Sequence, residues 1–128
     1  MNKVIAFLGE SEMGRFYYPY FCSSLTQLAT TLGNPPEDSR GLDFAIQAIM
    51  YERDVIYFRV EEEGFSIKDY IKSFEIIKDK KKVKRLDAIC IPGVGDIEII
   101  LQLDPICKLH SSIIITTQKD LFDYLLAE

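Results

Sequence analysis

Residues 86–99 read LDAICIPGVGDIEI. The segment from Leu86 to Ile91 is apolar apart from Asp87, short, and closed by Pro92, which is the pattern of a buried strand. Gly93 and Gly95 then let the backbone turn sharply. Asp96 stands where a helix N-cap belongs, immediately before an apolar periodicity that starts at Ile97. Strand, glycine turn and capped helix form the repeating unit of an α/β sheet, and the remainder of the chain repeats that unit.

Residues 3–8 (KVIAFL) are a continuous apolar run ended by Gly9, as expected for a strand buried on both faces. Residues 54–60 (DVIYFRV) are a second strand, rich in β-branched and aromatic side chains. Residues 86–91 are the third and 112–117 (SIIITT) the fourth. Helical spacing fills the intervals. Phe21, Leu25, Leu28 and Leu32 mark a first helix, with Pro19 in its opening turn and Gly33 at its end. The one clear loop is 33–41 (GNPPEDSRG). Leu42, Ala45, Ile46, Ile49 and Met50 share a face of a second helix, capped by Asp38 or Ser39.

Ser66 and Asp69 resemble a capping box for a third helix carrying Ile67, Tyr70, Ile71, Phe74 and Ile77. A short helix over 97–103 stops at Asp104-Pro105, and Leu121, Phe122, Leu125 and Leu126 mark the last. This alternation predicts an α/β fold: a three-layer Rossmann-like sandwich with a four-stranded parallel sheet. Right-handed crossovers favour strand order 2-1-3-4. The ligand crevice of such a sheet lies at the carboxyl ends of strands 1 and 3, where the loops 9–15 (GESEMGR) and 92–96 (PGVGD) meet.

With 128 residues, 48% hydrophobic and 27% charged, the chain reads as a single globular domain over 1–128. Its first apolar run is about six residues, short of the roughly 7–15 of a signal-peptide core. No run approaches the roughly 18–20 residues of a membrane span. A cytoplasmic protein without membrane attachment is expected. Cys22, Cys90 and Cys107 are widely separated, which fits reduced thiols rather than disulfides or a zinc site, and no metal or cofactor is called for. A net charge of −5 argues against nucleic-acid binding, although one local site can still hold a small phosphate.

Three stretches carry a resemblance to the LOG, or lysine-decarboxylase-like, group of Rossmann-type proteins. VIAFLGESE is similar to that family's first strand and Gly-Ser-Ser turn, with Gly9 and Ser11 matching and Glu10 in place of one serine. RGLDFAIQAIMYERDVIYF resembles its glycine-led helix and following strand. LDAICIPGVGDIEI resembles the strand leading into its Pro-Gly-Gly-x-Gly-Thr-x-x-Glu motif. Asp96 here takes the place of the threonine and Ile99 that of the glutamate, with Glu98 adjacent. Lys78 is the nearest counterpart of the family's arginine, and NPPEDSRG replaces its second strand.

The resemblance implies a homodimer that binds a nucleoside monophosphate or a related phosphoribosyl compound. If the chain is active, the chemistry implied is hydrolysis of an N-glycosidic bond, with Glu98 or Glu10 as the catalytic carboxylate. Gly9, Ser11, Arg15, Arg40, Gly41, Pro92, Gly93, Gly95 and Asp96 are the candidate ligand-binding residues. The alternative is a non-catalytic interaction or ligand-sensing module on the same sheet.

Bland readings stand beside these. Asp96 as a plain cap would satisfy the helix N–H groups and repel an anion. Glu10 and Glu12 oppose a phosphate and suit a ribose hydroxyl better. The carboxylates at 61–63 read first as a solvated loop, and the basic run 78–85 (KDKKKVKR) as cations meeting a helix C-terminus. His110, the only histidine, precedes strand 4 at the end of the sheet away from the crevice. Flavodoxin-like and receiver-like folds fit less well: the first loop is poor in Ser and Thr, and Pro92 follows strand 3 where a phosphorylatable aspartate is needed.

Overall fold

The computed structural model describes residues 2–127. Four strands run parallel: β1 (Val4–Gly9), β3 (Asp54–Arg59), β4 (Ala88–Cys90) and β5 (Ile113–Ile115). β1 lies between β3 and β4, in register from Val4 opposite Asp54 to Gly9 opposite Arg59, and Ala88 of β4 faces Ile113 of β5. The expected order 2-1-3-4 is therefore the order of these four. The sheet itself has a fifth strand, β2 (Tyr20–Cys22), antiparallel to β3 at the edge, so the sheet is mixed and reads β2-β3-β1-β4-β5.

β2 corrects the expectation that Phe21 begins a helix. The side chain of Ser24 accepts a hydrogen bond from the Gln27 N–H and caps α1 (Leu25–Leu32) only from that point. Upstream, the aromatic run after Pro19 suits an edge strand, where a missing N–H costs nothing in the ladder.

Alternate strand residues face opposite layers. Ile5, Phe7, Val55 and Tyr57 pack under α1, α2 (Gly41–Met50) and α5 (Gln118–Leu126). Ala6, Leu8, Ile56 and Phe58 pack under α3 (Ile67–Lys78) and α4 (Ile97–His110). Burial on both faces explains the unbroken apolar runs of β1 and β3. Ile113 and Ile114 are partly exposed because β5 is an edge. In α2 the buried face is Leu42, Phe44, Ala45 and Ala48, while Met50 is exposed.

α4 does not stop at Asp104-Pro105 but continues to His110. Pro105 has no N–H to offer the Leu101 carbonyl, but both residues are exposed, so water can satisfy that oxygen, and Ile99, Leu103 and Ile106 hold the helix to the core. None of the helices among the described residues is long and apolar enough to cross a membrane.

Candidate functional site

The first turn of α2 rests directly on the end of β1. A Cβ added to Gly9 would lie 2.8 Å from the Gly41 Cα and 2.7 Å from the Tyr57 hydroxyl, so only glycine fits there. In dinucleotide-binding sheets this junction of strand end and helix N-terminus receives a phosphate. Here it receives a side chain of the same protein.

Glu63, from the turn after β3, places its carboxylate into the junction. Oε2 accepts from the Arg40 N–H at 2.7 Å, and Oε1 accepts from the N–H groups of Gly41 at 3.0 Å and Glu10 at 3.1 Å. The arrangement is reciprocal, since the Glu10 carboxylate accepts from the Glu63 N–H at 2.9 Å. Tyr57 donates its hydroxyl to the Glu10 carbonyl at 2.7 Å, and the Gly64 N–H donates to the Tyr70 hydroxyl at 2.6 Å. Gly64 in turn lies against Gly93, where an added Cβ would come within 2.6 Å of the Gly93 carbonyl oxygen. The turns after β1, β3 and β4 are thereby tied to the start of α2.

Burial pushes the Glu63 carboxyl up, outweighing the three N–H donors, and the nearby Glu10 adds to the rise. Burial also raises the Tyr57 and Tyr70 hydroxyls, with the charge of Glu63 contributing to both, so they stay neutral donors and acceptors. The cap expected from Asp38 or Ser39 is thus supplied from another loop: α2 has no side-chain cap of its own, and Ser39 donates to the Pro36 carbonyl. The expected capping box at α3 is also rebuilt. Asp69 is buried and accepts from the Glu61 N–H at 2.8 Å, while Ser66 bonds the backbone of Glu62. Both contacts tighten the turn that carries Glu63.

Of the residues singled out from sequence, Gly9, Glu10, Arg40 and Gly41 meet here, Arg40 through its backbone and with its side chain exposed. Gly93 adjoins them with φ +76°, while a Cβ on Gly95 would meet nothing within 4 Å. Pro92 is buried and Asp96 caps α4, accepting from the Glu98 N–H at 2.8 Å. Ser11 and Arg15 turn elsewhere. Ser11 is buried and donates to the Met13 carbonyl at 2.7 Å, and the Arg15 guanidinium lies 5.9 Å from the Tyr18 ring centre.

Glu98 is exposed on the first turn of α4 and shares no hydrogen bond with Glu10 among the described residues. Lys78 ends α3 at the opposite end of the sheet. His110 is also remote, donating Nε2–H to the Ile77 carbonyl at 2.8 Å. Among the described residues no group of three or more His, Cys, Asp or Glu is placed to hold a metal ion.

Sequence reasoning passes over Tyr57, Tyr70 and Gly64 as site residues and reads Glu63 only as one of the solvated carboxylates 61–63. EEEG after a strand was the available signal, but nothing local separates Glu63 from Glu61 and Glu62. Beside the junction opens a polar cleft of about 560 Å³ whose lining includes Ser39, Arg40, Gln47 and Gln118.

Structure and site define an α/β protein with a mixed five-stranded sheet and a carboxylate-filled junction at the carboxyl end of its central strand. No family model, curated protein or solved structure matches the chain.

Proposed function

We propose that the chain is a Rossmann-like, LOG-like binding module without hydrolase chemistry, in which the phosphate position of the crevice is held by the protein's own Glu63. The observation that carries this reading is the convergence of three backbone N–H groups on that carboxylate. An incoming phosphate would have to displace it. Catalysis lacks support for a separate reason: a glycosidic bond needs a carboxylate beside the ribose, yet Glu10 is engaged by the Glu63 N–H and Glu98 stands in solvent.

The work of such a module lies in its surfaces, and α4 offers one for self-association. Ile97 and Leu101 are 66% and 65% exposed, and Pro105 and Leu109 continue the same line at i+4 spacing. In an antiparallel pairing about the middle of α4, Ile97 of one copy meets Leu109 of the other, Leu101 meets Pro105, and Glu98 meets Lys108. The order of residues along the face is self-complementary, as a twofold interface requires, although Lys108 also pairs with Asp104 of its own helix at 3.0 Å.

One observation favours a nucleotide-binding reading instead: the 560 Å³ cleft next to the filled junction has the size of a small-ligand site and contains Arg40. Titration of ¹⁵N-labelled protein with AMP and ribose 5-phosphate decides between them. The proposed reading expects the amide signals of Gly9, Glu10, Arg40 and Gly41 to remain unmoved at millimolar ligand. Saturable shifts of those amides would make the crevice a working nucleotide site.

A further inference from the structure

The basic segment 78–85 is not accounted for by the helix it follows. Six of its eight residues are Lys or Arg, but α3 ends at Lys78, and the other five cations lie past its C-cap, Asp79. They are held rather than loose. The N–H groups of Lys82 and Val83 both donate to the Asp79 carbonyl at 2.9 Å, and the Lys81 N–H donates to the Asp79 carboxylate. Val83 and Leu86 are buried in the α3–α4 layer, so Lys82 and Lys84, on either side of Val83, are directed outward.

Next to them the α3–α4 layer stops short of the edge strand β2. Phe21 of β2 sits opposite Ile56, on the face where Ile56 joins the core, yet Phe21 is 58% exposed. A groove of about 570 Å³ results, with Val4, Phe21 and Ile56 in its apolar lining and Lys82, Lys84 and Arg85 as its charged groups. Among the described residues Asp54 is the one carboxylate in the lining, and Arg85 is paired with Asp87 at 3.2 Å. Among the described residues neither Lys82 nor Lys84 takes part in an ion pair. The groove lies at the amino ends of β1 and β3, the far side of the sheet from Glu63, and does not depend on how the crevice is read.

We propose that this groove binds a small amphipathic anion, an apolar ring or short chain laid against Phe21 with a carboxylate or phosphate head held by Lys82 and Lys84. Charge complementarity sets the head and the exposed Phe21 at the sheet edge sets the body. A polyanion or an acidic protein fits less well, because beyond the groove it would meet a chain of net charge −5. A peptide added along the sheet edge would find only the three residues of β2 to pair with.

The test is titration of ¹⁵N-labelled protein with octanoate, phenyl phosphate and octylamine. Octanoate or phenyl phosphate is expected to shift the amides of Phe21, Cys22 and residues 82–85 saturably, with octylamine inert there. Lys82→Glu/Lys84→Glu, both exposed, should leave Tm unchanged while weakening the anion by at least about tenfold, the equivalent of ~1.4 kcal/mol. Phe21→Ala should weaken it too, because the apolar body loses its support. Equal response to octylamine, shifts confined to other residues, or no saturable response to either anion would overturn the proposal. An acidic peptide that bound while both small anions failed would overturn it as well.

Discussion

Glu63→Ala is the sharpest perturbation of the reciprocal turn. It removes an acceptor shared by the N–H groups of Glu10, Arg40 and Gly41. Hydrogen bonds to a charged group contribute about 1.5–3 kcal/mol each, which gives roughly 4.5–9 kcal/mol for the three. Taking the carboxylate out of water opposes this by several kcal/mol, and the upward displacement of its pKa by burial is the sign of that cost. A net loss of ~2–3 kcal/mol remains, which for a domain of this size lowers Tm by about 8–12 °C.

Thermal unfolding by circular dichroism measures it, with and without millimolar inorganic phosphate. Phosphate should recover part of the loss in Glu63→Ala by filling the vacated N–H cradle and should leave the parent protein unaffected. A drop below ~3 °C, on the same scale, would mean the N–H groups are served as well by water. Together with no phosphate effect, that result would refute the account of the junction.

Further outcomes follow from neighbouring features. The unfolded Glu63 carboxyl ionises near its ordinary 4.5 and the folded one at higher pH. Across that interval the folded state holds a proton the unfolded state has lost, so this group's contribution to stability falls as pH rises; pH-dependent chemical denaturation should show the slope diminished in Glu63→Gln. Gly9→Ala, which forces a Cβ against the Gly41 backbone, should cost about 1–3 kcal/mol, whereas Gly95→Ala, with open space around it, should stay within ~0.5 kcal/mol in the same denaturation assay. Leu101→Asp should convert a dimer to a monomer in sedimentation velocity, and a parent protein that is already monomeric would remove the α4 interface from consideration. Burial raises all three thiols, Cys22, Cys90 and Cys107. A colorimetric thiol reagent near neutral pH should therefore react slowly with folded protein and with all three after denaturation.

What was legible from sequence was whatever neighbouring residues decide. The reading of 86–99 as strand, turn and Asp96-capped helix matches β4 and α4 because the apolar run, the glycine turn and the Asp96 cap are each set by residues a few positions apart. The apolar runs of β1 and β3 and the stripe of α3 were legible for the same reason, since periodicity records which sides of an element are buried. Right-handed crossover leaves few orders for four parallel strands, and the one expected, 2-1-3-4, is the order they take.

Tertiary structure decided what local pattern leaves degenerate. Phe21 fits a helical stripe as well as a strand, and pairing of β2 with β3 made it a strand. Asp104-Pro105 is a break by local rules, yet packing of Leu103 and Ile106 carries α4 through it. Glu61, Glu62 and Glu63 are equivalent in sequence, and only the approach of the β3–α3 turn to the start of α2 selects Glu63. That approach joins N–H groups at positions 10, 40 and 41 to a carboxylate at 63, a relation that no window along the chain contains, because it arises from folding parallel strands whose neighbours in space are distant in sequence.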